Sequence, residues 1–221
     1  KHVLLLPEDP HECFEHAAAA LDLADRLQTP VFVMTDLDIG MNQRLCEPLA
    51  WDDARDYDRG KVMTAAELEM GKEFARYKDV DGDGIAWRTL PATHESKGAY
   101  FTRGTTRDPY ARYSEAGPDY VYNVKRLLQK FDTARQLVPA PEIRKASRKT
   151  RLGAIYFGST APAMDEALDL LNSGGIPVDS MRLRAFPFPD EVQAFIDLHD
   201  EVFVVEQNRD GQMRTLLMNE L

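Results

Sequence analysis

Cysteine is nearly absent from this chain: Cys13 and Cys46 are two thiols in 221 residues, too few and too far apart to hold a cluster or a zinc ion. No run of about 18 apolar residues and no charged-then-apolar leader is present, so neither a membrane span nor a secretory peptide is supported. Basic residues are also short, 27 against 37 acidic, and the net charge of −10 argues against nucleic acid as the main partner. The remainder, 43% hydrophobic and 29% charged, is ordinary soluble material for one to two domains. The cytoplasm is the expected location.

What is there is an alternation of strand and helix signals. Residues 152–157 form a short apolar run stopped by Gly158-Ser159-Thr160. Ser159 or Thr160 can N-cap the next segment, Pro162 suits its first turn, and Met164, Ala167, Leu168 and Leu171 recur at helical spacing. Gly174-Gly175 ends that helix, and residues 181–186 read as a second strand. Residues 190–199 form a short amphipathic helix on Val192, Phe195 and Ile196, followed by the apolar run 202–205. That run lacks alternation, as expected of a strand covered on both faces. The order predicts a doubly wound parallel α/β sheet.

Ligands of such sheets bind at the carboxyl ends of strands, which marks Glu206, Asn208, Arg209 and Gln212 as candidate binding residues. The competing reading has Glu206 and Asn208 capping the next helix. The Gly158-Ser159-Thr160 turn could cradle a phosphate at a helix N-terminus, or be an ordinary tight turn.

At the other end, residues 3–6 read as a strand that Pro7-Glu8-Asp9-Pro10 turns into a helix. Asp9 at the N-cap and Glu12 three residues on form a capping-box arrangement. Phe14, Ala17, Ala18, Leu21 and Ala24 are expected to line its buried face, with Cys13 a buried thiol on that side. Thr29-Pro30 ends the helix before a strand at 31–34, giving one βαβ unit. A free-standing fold needs more strands than this. The chain begins directly before a strand without a Met and ends within a helix, so a piece cut at both ends is expected.

Residues 37–118 are the irregular part, with a charged run at 52–60 that reads as an exposed linker. Within it, Asp79, Asp81 and Asp83, with Gly84 at the sixth place, carry calcium-loop spacing, although Leu90 stands where the bidentate Glu belongs. Bound Ca²⁺ or Mg²⁺ competes there with a bare acidic turn. Arg103 and Arg107, four apart in a Gly/Thr-rich block, suit paired hydrogen bonds to an anion, against the alternative of structural ion pairs. A helix is expected from Pro118 to about residue 137 on a Val121, Val124, Leu128 and Phe131 stripe, with Tyr120, Tyr122, Lys125 and Arg126 toward a partner. Pro139-Ala140-Pro141 and the basic stretch after it are the clearest domain boundary.

Three blocks carry a family resemblance. GAIYFGSTAPAMDEALDLL with RLRAFPFPDEV and VFVVEQNRDGQMR resembles the transketolase C-terminal-like domain of 2-oxoacid:ferredoxin oxidoreductase α subunits, the 2-oxoglutarate enzymes most of all. HVLLLPEDPHECFEHAAAALDLADRLQTPVFVMTD resembles the end of their thiamine diphosphate pyrimidine-binding domain. DVDGDGIAWRTLP and GAYFTRGTTRDPYARYSE resemble the region that connects the two.

The resemblance implies three parts. They are the end of a pyrimidine-binding domain (1–45), a linker region with the acidic loop and a helix (46–150), and a truncated transketolase C-terminal-like domain (151–221). It further implies oxidative decarboxylation of a 2-oxoacid, 2-oxoglutarate first, to an acyl-CoA, with ferredoxin as electron acceptor. Thiamine diphosphate with Mg²⁺ and a 4Fe-4S cluster belong to the assembled enzyme, and none is complete within this chain. The β subunit, ferredoxin, CoA and the 2-oxoacid are the implied partners. No catalytic residue of the family has a counterpart here, so this segment is expected to supply scaffold and subunit interface. Arg103, Arg107, Glu206, Asn208, Arg209 and Gln212 are left as candidates for CoA or substrate. A pyruvate or branched-chain member of the family, or a noncatalytic calcium-binding module, are the alternatives.

Overall fold

The Pro7-Glu8-Asp9-Pro10 turn joins strand β1 (Val3–Leu5) to helix α1 (Pro10–Leu27), and Gln28 and Thr29 lead into β2 (Val31–Val33). There follow α2 (Leu37–Met41), α3 (Ala65–Glu69), α4 (Gly117–Arg135), β3 (Glu142–Arg144) and β4 (Leu152–Phe157). A 3-10 turn at Gly158–Thr160 opens α5 (Ala161–Ser173), and β5 (Asp179–Leu183), β6 (Ala185–Phe186), α6 (Asp190–Asp197), β7 (Glu201–Val205) and α7 (Gln212–Glu220) complete the chain. The computed structural model describes residues 2–221. They group into two compact units, one of Asp22–Thr29 and Asp56–Gln136, the other of His2–Leu21, Pro30–Arg55 and Leu137–Leu221.

The second of these units holds both sheets. Four strands run in the order β3-β5-β4-β7, with β4 parallel to β5 and β7 and only β3 antiparallel. Helix α5 covers one face through Met164 and Leu168 against Ala154 and Tyr156. On the other face, Val192 and Phe195 of α6 and Met213 and Leu217 of α7 pack with Ile155, Met181 and Leu183. Each such fully buried side chain is worth about 1.5–3 kcal/mol of transfer free energy. The mixed α/β architecture with parallel strands and helices on both faces is the one expected. A smaller sheet, β2-β1-β6, pairs β1 parallel to β2 and antiparallel to β6.

Several details differ from the sequence reading. The strand expected at 181–186 is two strands in two sheets, broken at Arg184, whose carbonyl accepts from the Leu6 N–H at 2.8 Å. The β7 strand is an edge strand and not covered on both faces, since Phe203 is 54% exposed. Its unbroken apolar run mimics a central strand because Val202 and Val204 pack on the core while Phe203 faces out. Helix α5 takes no side-chain cap from Ser159 or Thr160. Cys13 is half-buried.

Helix α1 has the expected limits but not the expected face. Leu21 is 60% exposed and Ala17 is exposed, while Glu12, His16, Leu23 and Leu27 are buried. Of the stripe read from Phe14, Ala17, Ala18, Leu21 and Ala24, Ala18 is buried and Phe14 and Ala24 are half-buried, but Ala17 and Leu21 face out because polar residues share the inner face. Glu12 is the reason. Its N–H donates to Asp9 at 2.7 Å, as a capped first turn requires, but its carboxylate accepts from the Glu8 N–H at 2.9 Å and then turns inward. There it receives both terminal nitrogens of Arg182, at 2.7 and 3.1 Å, and Nε of Arg184 at 2.7 Å.

The other unit is mostly irregular chain around α4, with α3 fixed by a capping box between Thr64 and Glu67. The expected stripe of α4 is also misplaced. Val121, Val124 and Leu128 are exposed, whereas Lys130 and Ala134 are buried. Gly84, at φ +77°, lets the acidic loop lie directly on this helix, because a Cβ there would stand 2.4 Å from the Lys130 backbone nitrogen. Arg126 donates to the Gly84 carbonyl at 2.9 Å and Thr133 to that of Asp83 at 2.7 Å.

Burial pushes the Glu12 carboxyl up, but Arg182, the Glu8 N–H and Arg184 outweigh it and hold its pKa at about 2. A carboxyl held below its ordinary value contributes stability above that ordinary value and loses it as pH falls through the folded one. Glu12→Gln should therefore cost about 3 kcal/mol near neutral pH. The gap to the parent in urea titrations should shrink by more than half by about pH 3. A gap that does not change with pH would show that the buried charge of Glu12 contributes nothing.

Candidate functional site

Strand order reverses at β4, since the chain passes from β4 to β5 on one side and returns to β7 on the other. The carboxyl ends of β4 and β7 are therefore where an open α/β sheet places ligands. The Gly158–Thr160 turn and the residues after Val205 meet there. Gln207 donates to the hydroxyls of Ser159 at 3.2 Å and Thr160 at 3.3 Å. From the end of β2, Asp36 accepts from the Ser159 hydroxyl at 2.5 Å and its N–H at 3.3 Å, and also caps α2 through Ile39. Burial raises the Asp36 pKa, yet these hydrogen bonds win and lower it. A carboxylate thus occupies the place a phosphate would take at this turn, which favours the ordinary tight turn over the phosphate cradle weighed against it.

Of the four candidates after β7, Glu206, Asn208 and Gln212 lie at the start of the next helix. Glu206 accepts from the N–H groups of Met213 at 2.9 Å and Arg214 at 3.1 Å, which lowers its pKa against the effect of burial. Asn208 bonds to Glu206 and accepts from the Gln212 N–H at 3.1 Å. Arg209 pairs with its neighbour Asp210 at 2.7 Å, and Gln212 opens α7 on the surface. Neither Asp36 nor Gln207 was singled out from the sequence. An Asp closing a strand was the available signal for the first, and Gln207 offered none.

In the other unit the three carboxylates of Asp79, Asp81 and Asp83 do converge, with ligand atoms within 4.8 Å of one another. Their cation is internal. Lys61 Nζ donates to Asp81 at 2.6 Å, to Asp83 at 2.8 Å and to the Ile85 carbonyl at 2.9 Å. Asp79 is committed to the loop backbone, accepting from Gly82 at 3.0 Å and Gly84 at 2.9 Å. The ammonium stands against two of the three carboxylates at the loop where bound Ca²⁺ or Mg²⁺ and a bare acidic turn were the competing readings. Lys61, some twenty residues upstream of the loop, has no motif signal. Of the two candidate arginines, Arg103 is exposed beside the Tyr113 ring. Arg107 turns inward, donating to the Tyr77 hydroxyl at 3.0 Å and the Gly104 carbonyl at 2.7 Å.

Over nearly its whole length the chain is similar to α subunits of 2-oxoacid:ferredoxin oxidoreductases, an enzyme family. It is 24% identical over 215 residues to 2-oxoglutarate synthase subunit KorA of Methanothermobacter thermautotrophicus, covering 96% of this chain and 54% of the relative. It is 24% identical over 222 residues to the 2-oxoacid:ferredoxin oxidoreductase subunit alpha of Saccharolobus solfataricus, covering 97% of this chain and 34% of the relative. The chain thus spans about half the length of the first and a third of the second.

Among solved structures, 2-oxoglutarate:ferredoxin oxidoreductase from Magnetococcus marinus, with 2-oxoglutarate, coenzyme A and succinyl-CoA bound, superposes with a TM-score of 0.83 at 20% identity. The match covers 99% of this chain and 37% of that one, and it shows the fold. No family model matches the chain. Among the described residues no helix is long and apolar enough to cross a membrane.

If Lys61 replaces a metal ion, chelation with EDTA should leave the melting temperature of the parent chain unchanged. Lys61→Met should lower stability by about 1 kcal/mol, because Asp81 and Asp83 then repel without a counter-charge. A fall in the parent's melting temperature on adding EDTA would return the loop to the metal reading.

Proposed function

We propose that this chain is part of an enzyme that oxidatively decarboxylates a 2-oxoacid, 2-oxoglutarate first, to the acyl-CoA with ferredoxin as acceptor. The observation that carries this reading is the likeness along nearly the whole chain to a 2-oxoglutarate synthase subunit. In this reading residues 1–45 close a pyrimidine-binding domain, 46–150 are the linker region, and 151–221 begin a transketolase C-terminal-like domain. The segment acts as scaffold and subunit interface against a β subunit, in the cytoplasm. Arg103 and Arg107 are proposed to face CoA or the 2-oxoacid of the assembled enzyme, and the residues after β7 to shape an edge of it.

Thiamine diphosphate, Mg²⁺ and the 4Fe-4S cluster are assigned to other parts of the assembly. Two observations support that division. Asp36 sets a carboxylate against the Gly158–Thr160 turn, which does not fit a diphosphate, and Cys13 and Cys46 are a half-buried and an exposed single thiol that do not fit a cluster. No step through those groups is derived from this chain.

The assay is ferredoxin reduction dependent on both CoA and 2-oxoacid. The 221-residue chain alone, supplied with thiamine diphosphate and Mg²⁺, should show no turnover. The assembled enzyme that contains it should prefer 2-oxoglutarate to pyruvate by about tenfold or more in kcat/KM. Turnover by the chain alone would overturn the scaffold role, and a preference for pyruvate would move the substrate within the family.

A further inference from the structure

Helix α4 turns two of its charged residues inward. Lys130 is 7% exposed and Arg126 half-buried, while Val124 and Leu128 on the same helix face out. With Arg76 and Arg107 they surround a cavity of about 300 Å³ that no carboxylate lines. The guanidinium carbons of Arg76, Arg107 and Arg126 stand 5.0, 4.9 and 5.7 Å from the centre of one ring, that of Tyr77. A ring face attracts a cation, but three cations sharing one ring repel one another more than the ring relieves them.

The hydrogen bonds these cations make run to neutral oxygens. Arg107 donates to Tyr77 and Gly104, Arg126 to Gly84, and Lys130 to the Gln28 carbonyl at 3.1 Å. Nε of Arg76 and Nε of Arg126 are buried with no hydrogen-bond partner. The carboxylate that acts on Arg126, Asp79, is spent on Gly82 and Gly84. Burial, then the charges of Arg126 and Arg76, bring the Lys130 pKa down to about 8.

A chain with ten more formal negative than positive charges has acids to spare for ordinary ion pairs. Four inward cations with no carboxylate hydrogen-bonded to them among the described residues are costly unless something anionic joins them.

We propose that this cavity is a binding site for a small phosphate-bearing anion of at least two negative charges, inorganic diphosphate being the simplest example. Guanidiniums converging from three directions offer paired donors to a tetrahedral oxyanion, which has more acceptor sites than a planar carboxylate. Lys130 adds a point charge, and Thr105 adds a neutral donor at the wall. The inference stands on the cavity alone and does not depend on the oxidoreductase assignment.

Isothermal titration of the full chain with inorganic diphosphate, orthophosphate and succinate tests it. Diphosphate should bind one to one with a Kd below about 1 mM, more tightly than succinate. Arg76→Gln removes a guanidinium whose Nε has no hydrogen-bond partner among the described residues and should weaken binding about tenfold. Binding should also take up a proton between about pH 8 and 10, because the anion restores the charged form of Lys130. That uptake is read on the parent from the dependence of the heat on buffer ionisation, and needs no variant. No binding of diphosphate at about 10 mM, tighter binding of succinate, or unchanged affinity in Arg76→Gln would each overturn the proposal.

Discussion

Arg182 sits 3% exposed in the middle of β5, and its charge has to be answered inside the fold. Glu12 answers it with a two-pronged contact, Glu142 at 2.8 Å and Glu8 at 3.3 Å add further charge, and Glu12 at the same time receives Arg184. Leaving a buried cation without its partner costs several kcal/mol. The pair therefore fixes the rotation of α1 against β5 and the point at which the chain leaves one sheet for the other. The opposed pKa directions, Glu12 down and Arg182 up, are the two sides of that one attraction. His16, one turn further on, is buried with neither ring nitrogen hydrogen-bonded, its Nε2 3.6 Å from Glu12, and burial lowers its pKa. The inner face of α1 is thus polar for two turns.

That constraint explains where sequence reasoning worked and where it failed. Strand and helix limits were legible for α1, α5, α6 and β4 because Pro, Gly and polar punctuation bounds an apolar run in each. Helix faces were not. For α1 and α4 a period of 3.6 was present, but apolar content does not say which face is inside when Glu12, His16 and Lys130 are among the buried residues. A buried charge is decided by a partner distant in sequence, Arg182 for Glu12, and no local pattern carries it. The edge position of β7 and the added strand β3 were hidden for a similar reason. Val202 to Val205 is as apolar as a central strand, and the three exposed residues Glu142, Ile143 and Arg144 look like linker.

Of the candidate sites, the convergence of Asp79, Asp81 and Asp83 was legible, because carboxylates at alternate positions of a Gly-broken loop must face one another. Their counter-ion was not legible, since Lys61 arrives from another segment of the same unit. The Thr64 capping box was present in the sequence as Thr64-Ala65-Ala66-Glu67 and passed unread amid irregular chain.

Two lysines of one unit show how the same side chain can be a strut or a vacancy for charge. Lys61 loses some hydration, but the hydrogen bonds and charges of Asp81 and Asp83 more than compensate, and its pKa rises. Lys130 loses more hydration, meets Arg126 and Arg76 instead of acids, and falls to about 8. In the first case the protein's own anions answer the lysine's charge. In the second the anion is the missing member. Burial alone does not separate the two cases, because desolvation is the first cause acting on both. The sign of the neighbours does, and around Arg76, Tyr77, Arg107, Arg126 and Lys130 that sign calls for negative charge from outside the unit's own side chains.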